Sequence, residues 1–263
     1  MSIVTNYDSE ESAQVGIVTG AGSGMGREVA LGAAARGCLV HALDISAGGL
    51  DETVALAQGL PGRVIAHVCD VSSEEDVTKV LAPVISSEDG IDFLVNCAGI
   101  EDVGKPISDL PSYDWDRLMG INLRGTFLTM KAVLPALHAR RSGAVVNMGS
   151  VCSLIGFGEL AAYTASKHAV VGLTRTAVAE SARYNVRLNV VCPGPIDTPL
   201  QTRAEAAAAD PVEYRARQEQ AIPQGRYGKP KEVADLILFL ISAQAQYING
   251  AVIPIDGGMT ATR

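Results

Sequence analysis

Residues 15–27 read Val-Gly-Ile-Val-Thr-Gly-Ala-Gly-Ser-Gly-Met-Gly-Arg. The first five are short, apolar and rich in β-branched residues, which suits a strand. Gly20, Gly22, Gly24 and Gly26 then alternate with Ala21, Ser23 and Met25, and a helical pattern starts at Arg27. Glycine is needed where a backbone turns tightly, approaches a ligand closely, or lets a helix pack against a strand. Free N–H groups at a helix start, at the positive end of its dipole, suit a dinucleotide pyrophosphate. A glycine cluster alone is usually an ordinary turn. The strand before this one and the helix after it turn it into a nucleotide loop.

Six further apolar runs follow, at 39–43, 64–68, 93–95, 144–148, 187–191 and 251–255, each bounded by Gly, Asp or Asn. Near-continuous apolar runs suit parallel strands buried on both faces, and the stretches between them are long enough for crossover helices. The fold class expected is α/β: a Rossmann-type, doubly wound parallel sheet of about seven strands with helices on both faces. One domain is expected over 13–263, with residues 1–12 a flexible tail. The stretch 199–228 departs from the alternation. It is polar and Ala-rich, Ala204–Ala209 favours helix, and Asp210-Pro211 stops or restarts one. A long excursion beyond a strand's carboxyl end is a natural substrate lid; the plainer alternative is a surface helical hairpin.

The second run ends at Asp44, 18 residues after Gly26. A carboxylate there accepts hydrogen bonds from ribose hydroxyls and repels a 2′-phosphate. No Lys or Arg follows Asp44 directly, and Ser23 stands where a basic residue would hold that phosphate. NAD is therefore the expected cofactor. Asp70-Val71, after the third run, supplies a carboxylate and a backbone contact for the adenine; read alone, Asp70 is a strand-end Asp ahead of Ser72 and Ser73.

Composition narrows the partners. The 263 residues are 48% hydrophobic and 19% charged, with a formal net charge of −8. A sizeable core is affordable, and wholesale disorder is not expected. Arg140-Arg141 is the densest basic spot, so no nucleic-acid partner is expected. No apolar run approaches the roughly 20 residues of a membrane span, and the N-terminus lacks a basic, apolar signal. The five cysteines form no Cys-x-x-Cys pair, and no clustered metal-ligand set is visible. The expected setting is cytoplasmic, with no membrane and no metal.

Tyr163 and Lys167 lie four residues apart in a stretch, 161–184, that reads as one long helix, so they share a face. A phenol is a poor base near neutral pH; a nearby ammonium together with a positive nicotinamide would favour phenolate. Tyr-x-x-x-Lys by itself is usually a surface pair. Here Ser150 follows the fifth run, at a strand's carboxyl end that faces the ligand crevice. Asn122 lies in a helical stretch, about 115–130, where Asn is a mediocre helix former. It is either a core-bonded amide or a backbone-coupled bridge that holds a water beside Lys167.

Taken together, these motifs strongly resemble the short-chain dehydrogenase/reductase family from about residue 15 to 259. The glycine pattern matches at Thr19, Gly20, Gly24 and Gly26. An Asn-Asn-Ala-Gly element stands as Asn96-Cys97-Ala98-Gly99, with Cys97 departing from the pattern. An Asn–Ser–Tyr–Lys tetrad matches Asn122, Ser150, Tyr163 and Lys167. Pro193-Gly194-Pro195-Ile196-Asp197-Thr198 and Ile255-Asp256-Gly257-Gly258 complete it. The resemblance implies that Tyr163 is the general acid/base, Ser150 binds the substrate oxygen, Lys167 binds the nicotinamide ribose, and Asn122 positions a relay water. It implies that Asn96, Ala98, Gly99, Pro193, Gly194, Ile196 and Thr198 help hold the cofactor. It also implies a homotetramer built on helices at about 111–140 and 161–184.

The substrate is read less sharply. Cys152, Leu154, Phe157, Leu160 and Ile100 suggest a mainly apolar pocket for a neutral secondary alcohol or ketone, cyclic ones included. Glu101 either binds a second hydroxyl or faces water. Arg203, Arg215 and Arg217 are the lid residues available as an anion clamp. Two alternatives stay open: an NADPH-dependent 3-oxoacyl-thioester reductase, and a non-catalytic NAD-binding redox sensor.

Overall fold

The computed structural model describes residues 14–87, 90–101 and 104–262. The expected tail at 1–12 lies outside the described residues. In chain order the elements are β1 (Val15–Thr19), α1 (Gly24–Ala35), β2 (Leu39–Asp44), α2 (Ala47–Leu56), β3 (Arg63–Val68), α3 (Glu74–Ser87), β4 (Phe93–Asn96), α4 (Ser112–Met119), α5 (Thr126–Arg140), β5 (Gly143–Met148), α6 (Ala161–Ser181), β6 (Val186–Pro193), α7 (Pro199–Ala207), α8 (Pro211–Gln220), α9 (Pro230–Ile241) and β7 (Val252–Ile255). The strands form one seven-stranded sheet in the order β3-β2-β1-β4-β5-β6-β7. All six pairings are parallel.

Alternation along each strand divides the core between the two faces. Val18, Phe93 and Val95 point to the face covered by α1 and α9, where Val29, Ala33, Val233 and Ile237 meet them. Ile17 and Leu94 point the other way, onto Leu81 of α3, Val133 and Leu137 of α5. The central strands are buried on both faces as expected, but β3 is not: it ends the sheet, and its residues alternate between partly buried and exposed. An edge strand packs on one face at best, which its apolar content alone does not reveal. The helical stretch expected at 115–130 is also interrupted. A π-helical turn, Gly120–Gly125, joins α4 to α5 and carries Asn122; such turns are local and lack a strong sequence signature. The long helix at 161–184 runs as α6 and closes with a 3₁₀ turn at Ala182–Tyr184.

The excursion after β6 forms two helices. Thr198 caps α7 by accepting from Gln201 N at 3.3 Å, and Asp210 caps α8 by accepting from Val212 N and Glu213 N at 3.0 Å each. The Asp210-Pro211 restart seen in the sequence is therefore an N-cap followed by proline at the first helical position.

A buried polar network ties the carboxyl ends of β4 and β5 to the helices beneath them. Asn96 Nδ2 donates to Asn147 Oδ1 (2.8 Å) and Thr129 Oγ1 donates to Asn96 Oδ1 (2.7 Å). Asn147 Nδ2 in turn donates to Thr174 Oγ1 (2.9 Å). The Asn96 side chain is thus committed to the core, not to the cofactor cavity where the sequence placed it. Only a parallel register that sets Asn96 opposite Asn147 makes this pairing available. Asn147→Ala removes the acceptor of the Asn96 amide in a fully buried setting, where an orphaned polar group costs roughly 1–3 kcal/mol. Urea unfolding is expected to show that loss; an unchanged midpoint would mean the network carries no stability.

Candidate active site

In this sheet the chain leaves β3 at one edge and crosses back to β4, on the other side of β1. Beyond the carboxyl ends of β1 and β4 this reversal opens a crevice. A cavity of about 900 Å³ occupies it, lined by the loop from Gly20 to Gly24, by Asp44, Asp70 and Val71, and by Ala98 and Gly99. Gly20 sits at φ +68°, and a Cβ there would come within 2.8 Å of Ala98 N, so the turn admits only glycine. A Cβ on Gly26 would strike the Gly20 carbonyl; Gly26 brings α1 close to the loop and does not line the cavity. Ser23 is the N-cap residue of α1, yet its side chain makes no capping hydrogen bond, and the first turn of α1 holds no acidic residue. The N–H groups at this helix start are therefore left for another acceptor.

Asp44 stands at the far rim. Its Oδ2 accepts from Gly22 N and its Oδ1 from Ser46 N, each at 2.9 Å, so both oxygens are oriented while keeping further acceptor capacity. Two arginines also line this cavity: Arg27, which the sequence reading did not single out as a site residue, and Arg203, which it offered as part of an anion clamp. Arg27 is already engaged: it donates to the Gly22 carbonyl and to Thr53 Oγ1 (3.0 Å) and pairs with Glu52 (2.7 Å). Apart from Gly22, its partners lie 22 and more residues away along the chain, so local reading had no access to them. A glycine cradle, an uncapped helix start and an anchored carboxylate together fit a dinucleotide.

The reacting groups converge on an adjoining pocket of about 150 Å³, which shares Gly99 and Ile100 with the larger cavity. Ser150 follows β5 and caps a short 3₁₀ turn, Val151–Ser153. Its Oγ accepts from Cys152 N at 3.2 Å. Ser153 Oγ accepts from Ser150 N (3.2 Å) and donates to the Lys167 carbonyl (2.9 Å). Ser153 thereby pins the serine turn to α6. The sequence reading did not single out Ser153, whose link to Lys167 bridges 14 residues. Ser150 and Tyr163 are hydrogen-bonded through their side chains. Lys167, buried, donates from Nζ to the Met148 carbonyl at 2.9 Å and lies 5.5 Å from the centre of the Tyr163 ring. Asn122 is a backbone-coupled amide. Its Oδ1 accepts from Ile100 N and its Nδ2 donates to Ile100 O, both at 2.9 Å. It clamps the chain that leaves β4.

Lys167 does not by itself draw Tyr163 toward phenolate. Burial pushes the Tyr163 phenol well up, the Glu101 carboxylate pushes it further the same way, and the Ser150 hydrogen bond opposes them. Burial also pushes Lys167 down to about 8. Two neighbouring groups in a low-dielectric pocket both resist charge. Cys97, the departure from the family pattern, lines the pocket, and burial pushes its thiol up to about 12, so it stays neutral.

Met25, Pro193, Gly194, Ile196 and Thr198 line the same pocket, as do Cys152, Phe157 and Leu160. Leu154 does not: it faces outward. None of the three lid arginines forms a clamp there. Arg215 pairs with Asp197 (3.0 Å) and Glu219 (2.9 Å), Arg217 pairs with Glu213, and Arg203 belongs to the dinucleotide cavity.

The family model described as enoyl-(acyl carrier protein) reductase matches residues 20–260. The chain belongs to the short-chain dehydrogenase/reductase family. It is 39% identical over 246 residues to 3-oxoacyl-[acyl-carrier-protein] reductase FabG of Thermotoga maritima, covering 94% of this chain and 97% of that one. It is 38% identical to the levodione reductase of Leifsonia aquatica, covering 94% of each. A crystal structure of levodione reductase superposes with a TM-score of 0.90 over 95% of this chain and 98% of that one. NAD⁺-bound xylitol dehydrogenase (32% identity, TM-score 0.89, 93% and 98% covered) and an NADPH-bound actinorhodin polyketide ketoreductase (31%, 0.90, 94% and 97%) share the fold and differ in cofactor. These likenesses support an oxidoreductase that acts on CH–OH groups with a nicotinamide cofactor.

The depressed Lys167 has a consequence for stability. Between about pH 8 and the ordinary lysine value the unfolded chain holds this proton and the folded chain does not, so folding stability contributed by this site rises with pH across that window. Below it, both states are protonated and the burial cost is complete. Relative to Lys167→Met, the wild-type apoprotein should gain on the order of 1–2 kcal/mol between pH 7.5 and 9.5 in urea unfolding. A constant difference between the two proteins would show that Lys167 titrates normally.

Proposed function

We propose that the protein is an NAD(H)-dependent oxidoreductase that interconverts a secondary alcohol and a ketone by hydride transfer, with Tyr163 as general acid/base. The observation that carries this reading is the convergence of Ser150, Tyr163 and Lys167 on a small pocket that adjoins the dinucleotide cavity. When bound, the oxidised cofactor supplies the hydride acceptor and a positive ring charge. The remaining work falls to the chain. Gly20, Ser23 and Gly24 offer backbone donors at the start of α1. Asp44 receives the ribose hydroxyls, and Asp70, Val71, Ala98 and Gly99 bound the adenosine side of the cavity. Pro193, Gly194, Ile196 and Thr198 hold the nicotinamide end. Ser150 donates to the substrate oxygen and steadies the developing alkoxide. Tyr163 takes the hydroxyl proton at its phenol oxygen. Lys167 binds the ribose, and Asn122 keeps the 99–101 backbone in place beside it and positions the relay water.

NAD, in preference to NADP, is supported by Asp44 at the cavity rim and by Arg27, whose guanidinium is paired with Glu52. A homotetramer is supported by the large apolar side chains Tyr113, Trp115 and Phe127, which stand exposed on α4 and α5. The likeness to a 3-oxoacyl-thioester reductase favours a second reading, reduction of such thioesters with NADPH. Fluorescence titration with NADH and NADPH at one salt concentration separates the two. Tighter NADH binding is expected, and tighter NADPH binding would turn the search to 3-oxoacyl reduction. In Asp44→Ala the NADH affinity should drop and its margin over NADPH narrow; an unaltered ratio removes Asp44 from the argument. Tyr163→Phe should keep dinucleotide affinity while alcohol turnover falls by about 10²–10⁴. Turnover close to wild type would rule out the acid/base role.

A further inference from the structure

The pocket over Ser150 and Tyr163 has two chemically unlike sides. Val151, Cys152, Phe157, Leu160 and Met259 make one side apolar. The other holds Glu101, on the chain leaving β4, and three polar lid residues: Gln201 of α7, Tyr214 and Gln218 of α8. Gln201 Nε2 donates to Tyr227 Oη at 3.4 Å, and Gln201 and Gln218 both act on the Tyr214 phenol, opposing the rise that burial causes. The Glu101 charge acts on two phenols at once, opposing ionisation of Tyr163 on α6 and of Tyr214 on α8. Glu101 lines the pocket together with Tyr163 and Tyr214, in the space a substrate must fill. Among the described residues lining this pocket, Lys167 is the one cation, and it sits at the reacting end. The lid arginines are committed elsewhere.

Resting on the oxidoreductase reading above, we infer that Glu101 determines substrate class. It selects a neutral substrate with a second hydroxyl close to the reacting carbon, a diol or hydroxyketone, and rejects anions. A carboxylate is an acceptor without donors, so it pairs with a hydroxyl and finds no partner in an alkyl group. A substrate carboxylate or phosphate meets a like charge in a partly desolvated pocket, and like-charge contacts are costly there. The amides of Gln201 and Gln218 both donate and accept, so further hydroxyls are satisfied under the lid.

Three four-carbon compounds that differ by one group test this: butane-2,3-diol, butan-2-ol and 3-hydroxybutyrate. Their binding to the NADH-saturated protein, a combination that does not turn over, is measured by calorimetry for wild type, Glu101→Gln and Glu101→Asp. Wild type should bind the diol at least about tenfold more tightly than either other compound. Glu101→Gln should bring the diol and 3-hydroxybutyrate within a few-fold of each other, and Glu101→Asp should keep the diol first. Equal or tighter binding of 3-hydroxybutyrate to wild type, or an unchanged ratio in Glu101→Gln, overturns the assignment. Oxidation of the same compounds with NAD⁺ is followed in parallel. Discrimination in binding without turnover of any compound refutes the proposed reaction and leaves the Glu101 assignment standing. Turnover without discrimination does the reverse.

Discussion

Parallel strands all point one way, and each return must cross over the sheet through a helix. In this protein that constraint puts every strand's carboxyl end along one edge. The chain winds outward through β1, β2 and β3, then jumps to β4 beside β1 and winds the other way. At the jump, the loops after β1 and β4 diverge to opposite faces, and nothing in the sheet fills the gap. The glycine loop, Asp44, the Asn96–Gly99 segment, Ser150 and the Pro193–Thr198 segment all owe their proximity to this one reversal. The buried Asn96–Asn147 pair holds β4, which borders the gap, in register with β5.

Within the crevice, burial governs the chemistry. The same desolvation that raises the Tyr163 phenol lowers the Lys167 ammonium, and Glu101 adds to the resistance at Tyr163. Acid/base work at Tyr163 therefore requires a cationic partner in the pocket, a condition that couples proton transfer to cofactor charge in the proposed reaction. The hydrogen-bonded supports around it are backbone-directed. Ser153 reaches the Lys167 carbonyl, Asn122 brackets Ile100, and Lys167 reaches the Met148 carbonyl. Such bonds hold positions against the main chain, which moves less than side chains do.

Much of this was legible beforehand because the signals are local. Parallel strands buried on both faces must be short apolar runs, so all seven strands stood out together with their order along the chain, whereas the partial exposure of the edge strands β3 and β7 did not. The glycine loop declared its turn through residues that no other side chain can replace. Tyr163 and Lys167 declared a shared face through their spacing. Asn122 was flagged by being a poor helix former, yet the π-helical turn that aims it has no compositional mark. Asn96 was placed in the cofactor site by its neighbours in sequence, whereas its register opposite Asn147 turned its side chain into the core.

By itself, the sequence determined the element types and the doubly wound class and singled out Ser150, Tyr163 and Lys167, because periodicity, glycine spacing and residue chemistry act over a few neighbouring positions. Only the tertiary structure decided which groups face each other. Arg27 meets Glu52, Leu154 turns outward, Arg215 and Arg217 of α8 bind carboxylates of α8 and of the loop after β6, and Glu101 comes to share a pocket with Tyr214. Those pairings depend on how helices separated by tens of residues pack across a common sheet edge, and packing at that distance leaves no periodic trace in the chain.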